Sequence, residues 1–146
     1  MKEKTIIRQD TDYAFRMVVY LCEKSPREVP ASELSEHLGV PHDFAQKILR
    51  KLSRAGILQA RMGCSGGFML IRHPAQISMM DVIHAIQGRP LMNRCTSEPD
   101  ICPRQSSCPV SSALWDLQEI MDEKLNSMKI SDVMKNTQPN SYFSKA

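Results

Sequence analysis

The sequence predicts a mainly α fold with one small β-hairpin: a winged helix-turn-helix domain followed by a long C-terminal dimerisation helix. Three observations carry that prediction. A short apolar-periodic segment, a Gly39-Val40-Pro41 turn and a longer basic segment follow one another. A glycine-rich tip, Gly63 to Gly67, then separates two short alternating runs, as in a hairpin. Finally, Leu114, Leu117, Met121, Leu125 and Met128 recur at near-heptad spacing.

Taken in order, Thr11 or Asp12 is placed to cap a first helix that runs to about Glu23 through Tyr13, Val18, Tyr20 and Leu21. A polar, proline-bearing connection over 24–30 leads to a second helix over 31–38. Ser32 is its expected cap, Leu34 and Leu38 its inner residues, Ser35 and Glu36 its outer ones. Gly39 should end it in the left-handed conformation. The third helix, over 42–55, turns Phe44, Ile48, Leu49 and Leu52 to the core, and Gly56 stops it. Strands over 57–61 and 67–72 form the hairpin. A fourth helix, over 78–87, has Ser78 as cap and Gly88 as stop. The last long helix spans 111–128. The predicted units are therefore a DNA-binding domain over 1–76, a connecting helix and cysteine loop over 77–110, the dimerisation helix over 111–132 and a loose polar tail over 133–146.

Composition narrows the function. The charged N-terminus lacks a signal-peptide core, and no run has the length of a membrane span, which predicts a cytoplasmic, non-membrane protein. Between Asp43 and His73 six cations (Lys47, Arg50, Lys51, Arg54, Arg61 and Arg72) face one acid, Asp43. From Pro74 onward seven basic residues are balanced by eight acidic ones. Positive charge is thus gathered at the helical pair and hairpin, as nucleic-acid binding requires. No nucleophile–base pair, Walker loop or paired-carboxylate pattern points to an enzyme.

In a helix-turn-helix the second helix enters the major groove with its N-terminal residues against base edges. Those residues are Pro41, His42, Asp43, Gln46 and Lys47. Gln46 suits adenine; Lys47 suits guanine or a phosphate. Arg50, Lys51 and Arg54 read as phosphate contacts. Ser65 and Gly66 at the hairpin tip can approach the sugar–phosphate surface closely, and Arg61 can reach the minor groove. The partner is then duplex DNA. A two-fold homodimer sealed by the heptad stripe would read a pseudo-palindromic operator.

Five cysteines is an odd count. Cys22 lies on the first helix as a small core residue, and Cys64 lies at the hairpin tip. Cys95, Cys102 and Cys108 are spaced C-x6-C-x5-C in a loop, Arg94 to Pro109, with three prolines and few apolar residues. Such a segment has no core of its own to order it. Three thiolates suit an iron–sulfur cluster, 4Fe-4S rather than 2Fe-2S. Zinc, without its tight C-x2-C knuckles, and metal-free redox thiols are the alternatives.

The runs Thr11-Asp12-Tyr13-Ala14-Phe15-Arg16, Leu38-Gly39-Val40-Pro41, Lys47-Ile48-Leu49-Arg50-Lys51-Leu52 and Gly66-Gly67-Phe68, with Asp81-Val82, the three cysteines and Trp115, resemble the Rrf2 family of bacterial winged-helix regulators over roughly residues 5 to 130. The resemblance implies a homodimeric repressor. In the family's cysteine-bearing branch it implies a cluster that controls operator binding in response to nitric oxide, redox state or iron supply. It also implies Asp12 of the partner subunit as a fourth ligand, since Ser111 stands where cluster regulators of the family carry His. Three further departures are visible. Met62 replaces the Arg before the wing-tip glycine, Gln46 replaces a Glu, and Cys64 replaces a Pro.

Overall fold

The computed structural model describes residues 5–136. Six helices and one hairpin follow in the order α1 (Gln9–Lys24), α2 (Ala31–Leu38), α3 (His42–Arg54), β1 (Leu58–Arg61), β2 (Gly67–Leu70), α4 (Met79–Ile86), α5 (Pro109–Ser127) and α6 (Ile130–Lys135). Single 3-10 turns lie at Pro74–Gln76, Arg94–Thr96 and Gln105–Ser107.

The two expected hydroxyl or carboxylate caps at the start are not used. Arg8 occupies the N-cap of α1 in extended backbone and makes no side-chain capping bond. Thr11 is instead buried, and its hydroxyl donates to Gln87 Oε1 at 2.7 Å. Asp12 lies inside the first turn, where it pairs with Arg16 at 2.9 Å. Pro30, rather than Ser32, precedes α2. Ser35, expected on the outside, is buried and donates to the Ser32 carbonyl at 2.9 Å. Gly39 does close α2 with φ of 64°, a conformation that costs a residue with a Cβ.

The core gathers Ala14, Met17, Val18 and Leu21 of α1, Leu34 of α2 and the inner face of α3, Ala45, Ile48, Leu49 and Leu52. β1 and β2 pair antiparallel, with Leu58 opposite Leu70 and Arg61 opposite Gly67. Val29 adds a bridge on the other edge of β2: its N–H and C=O bond the Phe68 backbone at 2.9 and 2.8 Å. That pairing explains Gly67. A Cβ there would sit 2.6 Å from the Val29 carbonyl oxygen. The hairpin is therefore tied to the α1–α2 connection, and its glycine content answers to its own chain as much as to any ligand.

α4 begins with a reciprocal capping box between Ser78 and Asp81. Burial raises the Asp81 carboxyl, but the Ser78 N–H and the Arg72 guanidinium outweigh it and leave the group below its ordinary range. After α5 the chain turns back. Met128 leaves the helix, Lys129 pairs with Ser78, and the Ile130 N–H donates to the Ile77 carbonyl at 2.9 Å. Ile130 is fully buried in the same core as α1 and α3. The stretch 111–132 is thus not one helix: it ends at Ser127 because 128–130 is needed as an extended strap. Residues 133–135 of the expected loose tail belong to α6. The rest of that tail, beyond Asn136, lies outside the described residues.

Candidate DNA-binding face and cysteine loop

α3 and the hairpin enclose a groove of about 560 Å³. His42, Gln46, Arg50 and Arg54 line one side; Arg61, Met62, Gly63 and Gly66 line the other. Spacing of four residues places the α3 set on one stripe, opposite the stripe that buries Ile48 and Leu52. Gln46 Oε1 accepts from Arg50 at 3.0 Å, which leaves the amide NH2 free to donate outward. Arg61 is exposed and paired with Glu28 at 3.1 Å; Met62 is 93% exposed at the tip. The wing tip therefore presents a large apolar side chain, and the cation behind it already has a carboxylate partner. Cys64 and Ser65 are exposed at the same tip, and Pro41 and Asp43 are exposed at the start of α3, but none of these four lines the groove.

Lys51 differs from its neighbours. Its Nζ donates to the Ile86 carbonyl at 3.1 Å, across 35 positions of sequence. It ties α3 to the last turn of α4, where an ammonium also meets the negative end of the helix dipole. This bond takes one of the three ammonium donors, so the lysine is anchored where its neighbours are free.

The cysteine loop is ordered by amides. Gln118 of α5 is completely buried. Its Oε1 accepts from the Met92 N–H at 2.8 Å and the Thr96 hydroxyl at 3.1 Å, and its Nε2 donates to the Pro90 carbonyl at 3.0 Å. Gln105 spans the loop from the other side, donating to the Cys95 carbonyl at 2.8 Å and the Glu98 carbonyl at 3.2 Å. Sequence reasoning overlooked both. The signal for Gln118 is its place in the series Leu114, Gln118, Met121, Leu125, which is the true inward stripe of α5.

Cys95, Cys102 and Cys108 carry free thiols. Cys95 and Cys102 open onto one hollow of about 300 Å³ with Asn93, Arg94 and Ile101; Cys108 is the N-cap of α5. Among the described residues no three His, Cys, Asp or Glu side chains converge as a metal site. The donor chemistry nevertheless fits a soft metal group. In the loop and the first turn of α5 that follows it, two buried oxygens, Gln105 Oε1 and Ser111 Oγ, have no hydrogen-bond partner, the condition in which buried polar groups are costly. Asp12 is half exposed on α1 and engaged by Arg16. Cys22 is half buried, and burial pushes its thiol up to about 11.

The expected dimerisation stripe divides between two faces. Leu114, Met121, Leu125 and Met128 are half buried against their own chain. Leu117 is exposed, and with Val110 and Ile120 it makes an outer apolar face, 48 to 65% exposed.

Residues 7–136 match the Rrf2 family, described as an iron-dependent transcriptional regulator. The chain belongs to the Rrf2 family. It is a DNA-binding transcriptional regulator with the fold and family of such proteins rather than those of an enzyme. It is similar to protein aau3 of Rhizobium meliloti, 30% identical over 130 residues that cover 88% of this chain and 84% of the relative. Among solved structures it resembles CymR, the global cysteine regulator of B. subtilis, with TM-score 0.69, 18% identity and coverage of 94% and 100% of the two chains. It also resembles T. potens IscR, with TM-score 0.68, 19% identity and coverage of 99% and 98%. These likenesses establish the mainly helical winged fold with its two-stranded hairpin for this Rrf2 chain. No helix among the described residues is long and apolar enough to cross a membrane.

Proposed function

We propose that this Rrf2 chain is a homodimeric repressor that binds a pseudo-palindromic operator through α3 and the wing, under the control of an iron–sulfur cluster held by Cys95, Cys102 and Cys108. The observation that carries the DNA-binding half is the single groove where His42, Gln46, Arg50 and Arg54 face Arg61 and Gly66. The sensing half rests on the three free thiols in one loop and on the two partnerless buried oxygens of that loop and the turn after it. When bound, the cluster supplies a centre that reacts with nitric oxide or oxygen and is lost when iron is scarce. Asp12 of the partner subunit is the proposed fourth ligand, and its release from Arg16 is the step this chain must supply. The outer α5 face of Val110, Leu117 and Ile120 is the proposed seam of the dimer.

Anaerobic purification with full iron supply tests the reading. A coloured protein with stoichiometric iron and sulfide is expected. Cys102→Ala should bleach it, and Asp12→Ala should change its spectrum. A colourless wild-type protein sinks the cluster and leaves the second reading, a regulator that senses thiol oxidation without metal. The exposed thiols of Cys64 and Cys102 favour that alternative.

A further inference from the structure

The flank of α3 turned from the wing carries a second concavity of about 460 Å³, which shares Arg50 and Arg54 with the wing-side groove. Arg8, Lys47, Arg50, Lys51 and Arg54 line it, with a single carboxylate, Asp10. Five cations around one hollow repel one another unless an anion joins them. Asp10 answers for only one, holding Arg8 Nη2 at 2.6 Å.

The walls of this hollow are fixed from behind. The Arg8 N–H donates to Gln87 Oε1 at 2.9 Å, and Gln87 Nε2 donates to the Ile6 carbonyl at 2.9 Å. Lys51 reaches the Ile86 carbonyl, one residue earlier. The last turn of α4 therefore holds both the N-terminal arm and the base of the hollow, immediately before the chain enters the cysteine loop.

We propose that this hollow is a second phosphate groove, with Arg8 as a contact to the DNA backbone strand opposite the one beneath the wing. The proposal rests on α3 entering the major groove. That groove is about 12 Å wide, and a helix with its side chains is ~10–12 Å across. A helix seated there has a phosphate ridge on each flank. The wing-side groove serves one ridge, and the hollow of Arg8 and Lys47 faces the other. Asp10 then acts as a brake, since it partly neutralises Arg8 at the place where a phosphate must sit.

The test is binding of the full chain to a mixed-sequence duplex across roughly 50 to 200 mM KCl, the range in which phosphate contacts separate clearly. Arg8→Ala removes an exposed side chain and leaves its backbone bonds intact. It should weaken binding several-fold and lower the log–log salt slope by about 1. Asp10→Asn should strengthen binding. Lys135→Ala, a distant loss of one charge, should leave the slope alone. If wild-type binding is steep in salt but Arg8→Ala and Asp10→Asn behave like Lys135→Ala, the second groove is wrong and the α3 reading stands. If the wild-type protein binds no duplex, or binds with a flat salt response, both fall.

Discussion

Single side chains divide this protein into groups that react and groups that hold. Cys22 is half buried with its thiol pushed up to about 11, whereas Cys64 and Cys102 are exposed. Only thiolate attacks an alkylating reagent. Brief iodoacetamide treatment of metal-free protein near pH 8, read by peptide mass spectrometry, should therefore label Cys64 and Cys102 first and Cys22 last. Early labelling of Cys22 would contradict its placement in the core. The sequence made Cys22 legible as a core residue because its helix neighbours are apolar. It did not separate Lys51 from Arg50 and Arg54, since three cations on one helix look alike until the Ile86 carbonyl is folded against one of them. Gln118 was illegible for the opposite reason: an amide on a long helix reads as a solvent residue unless its buried carbonyl and N–H partners are known.

Elements show where local signals compete with tertiary ones. The turn glycine of α2 and the Ser78 cap of α4 were readable because each satisfies a rule within four residues. The start of α1 was not, because Thr11 is claimed by Gln87, 76 positions away. The hairpin was readable as a hairpin, but its attachment to Val29 was not. That attachment makes Gly67 a packing position. Gly67→Ala would drive a methyl into the Val29 carbonyl oxygen, where backbone must yield. It should cost about 1–3 kcal/mol, the usual range for overpacking. Its thermal midpoint and DNA affinity should fall together, since the wing would shift relative to α3. An unchanged midpoint would contradict the close Gly67–Val29 approach.

At the scale of the whole molecule, the chain closes on itself through α6, whose Ile130 enters the core built by α1 and α3. The sequence places the dimerisation helix in a unit running to 132, with an apolar stripe that ends at Met128. The strap at 128–130 breaks the helix to satisfy Ser78 and Ile77 instead. Acid sensitivity also belongs to this scale, because it sums over carboxylates whose partners come from different elements. Two hydrogen bonds from Arg27, joined by the Tyr20 hydroxyl, hold Glu33 down to about 2. A depressed carboxylate contributes stability above its ordinary pKa of 4.5 and loses it as pH falls toward 2. Asp81 acts in the same direction. In urea titrations, the stability gap between wild type and Glu33→Gln should therefore narrow as pH falls through that window. A gap that stays constant with pH would show that the Arg27–Glu33–Tyr20 contacts do not persist in solution.

Gln105 and Gln118 give the cysteine loop a property that thiols alone could not. Cysteine climbs an oxidation ladder, and its upper rungs change the atom itself. Carboxamides stay off that ladder. A loop pinned through amides and backbone keeps those bonding atoms unaltered when its sulfurs change oxidation state. Reduction of a sulfenic acid or a disulfide then meets the same amide pins, so the memory of the site is stored in atoms that the chemical insult does not touch.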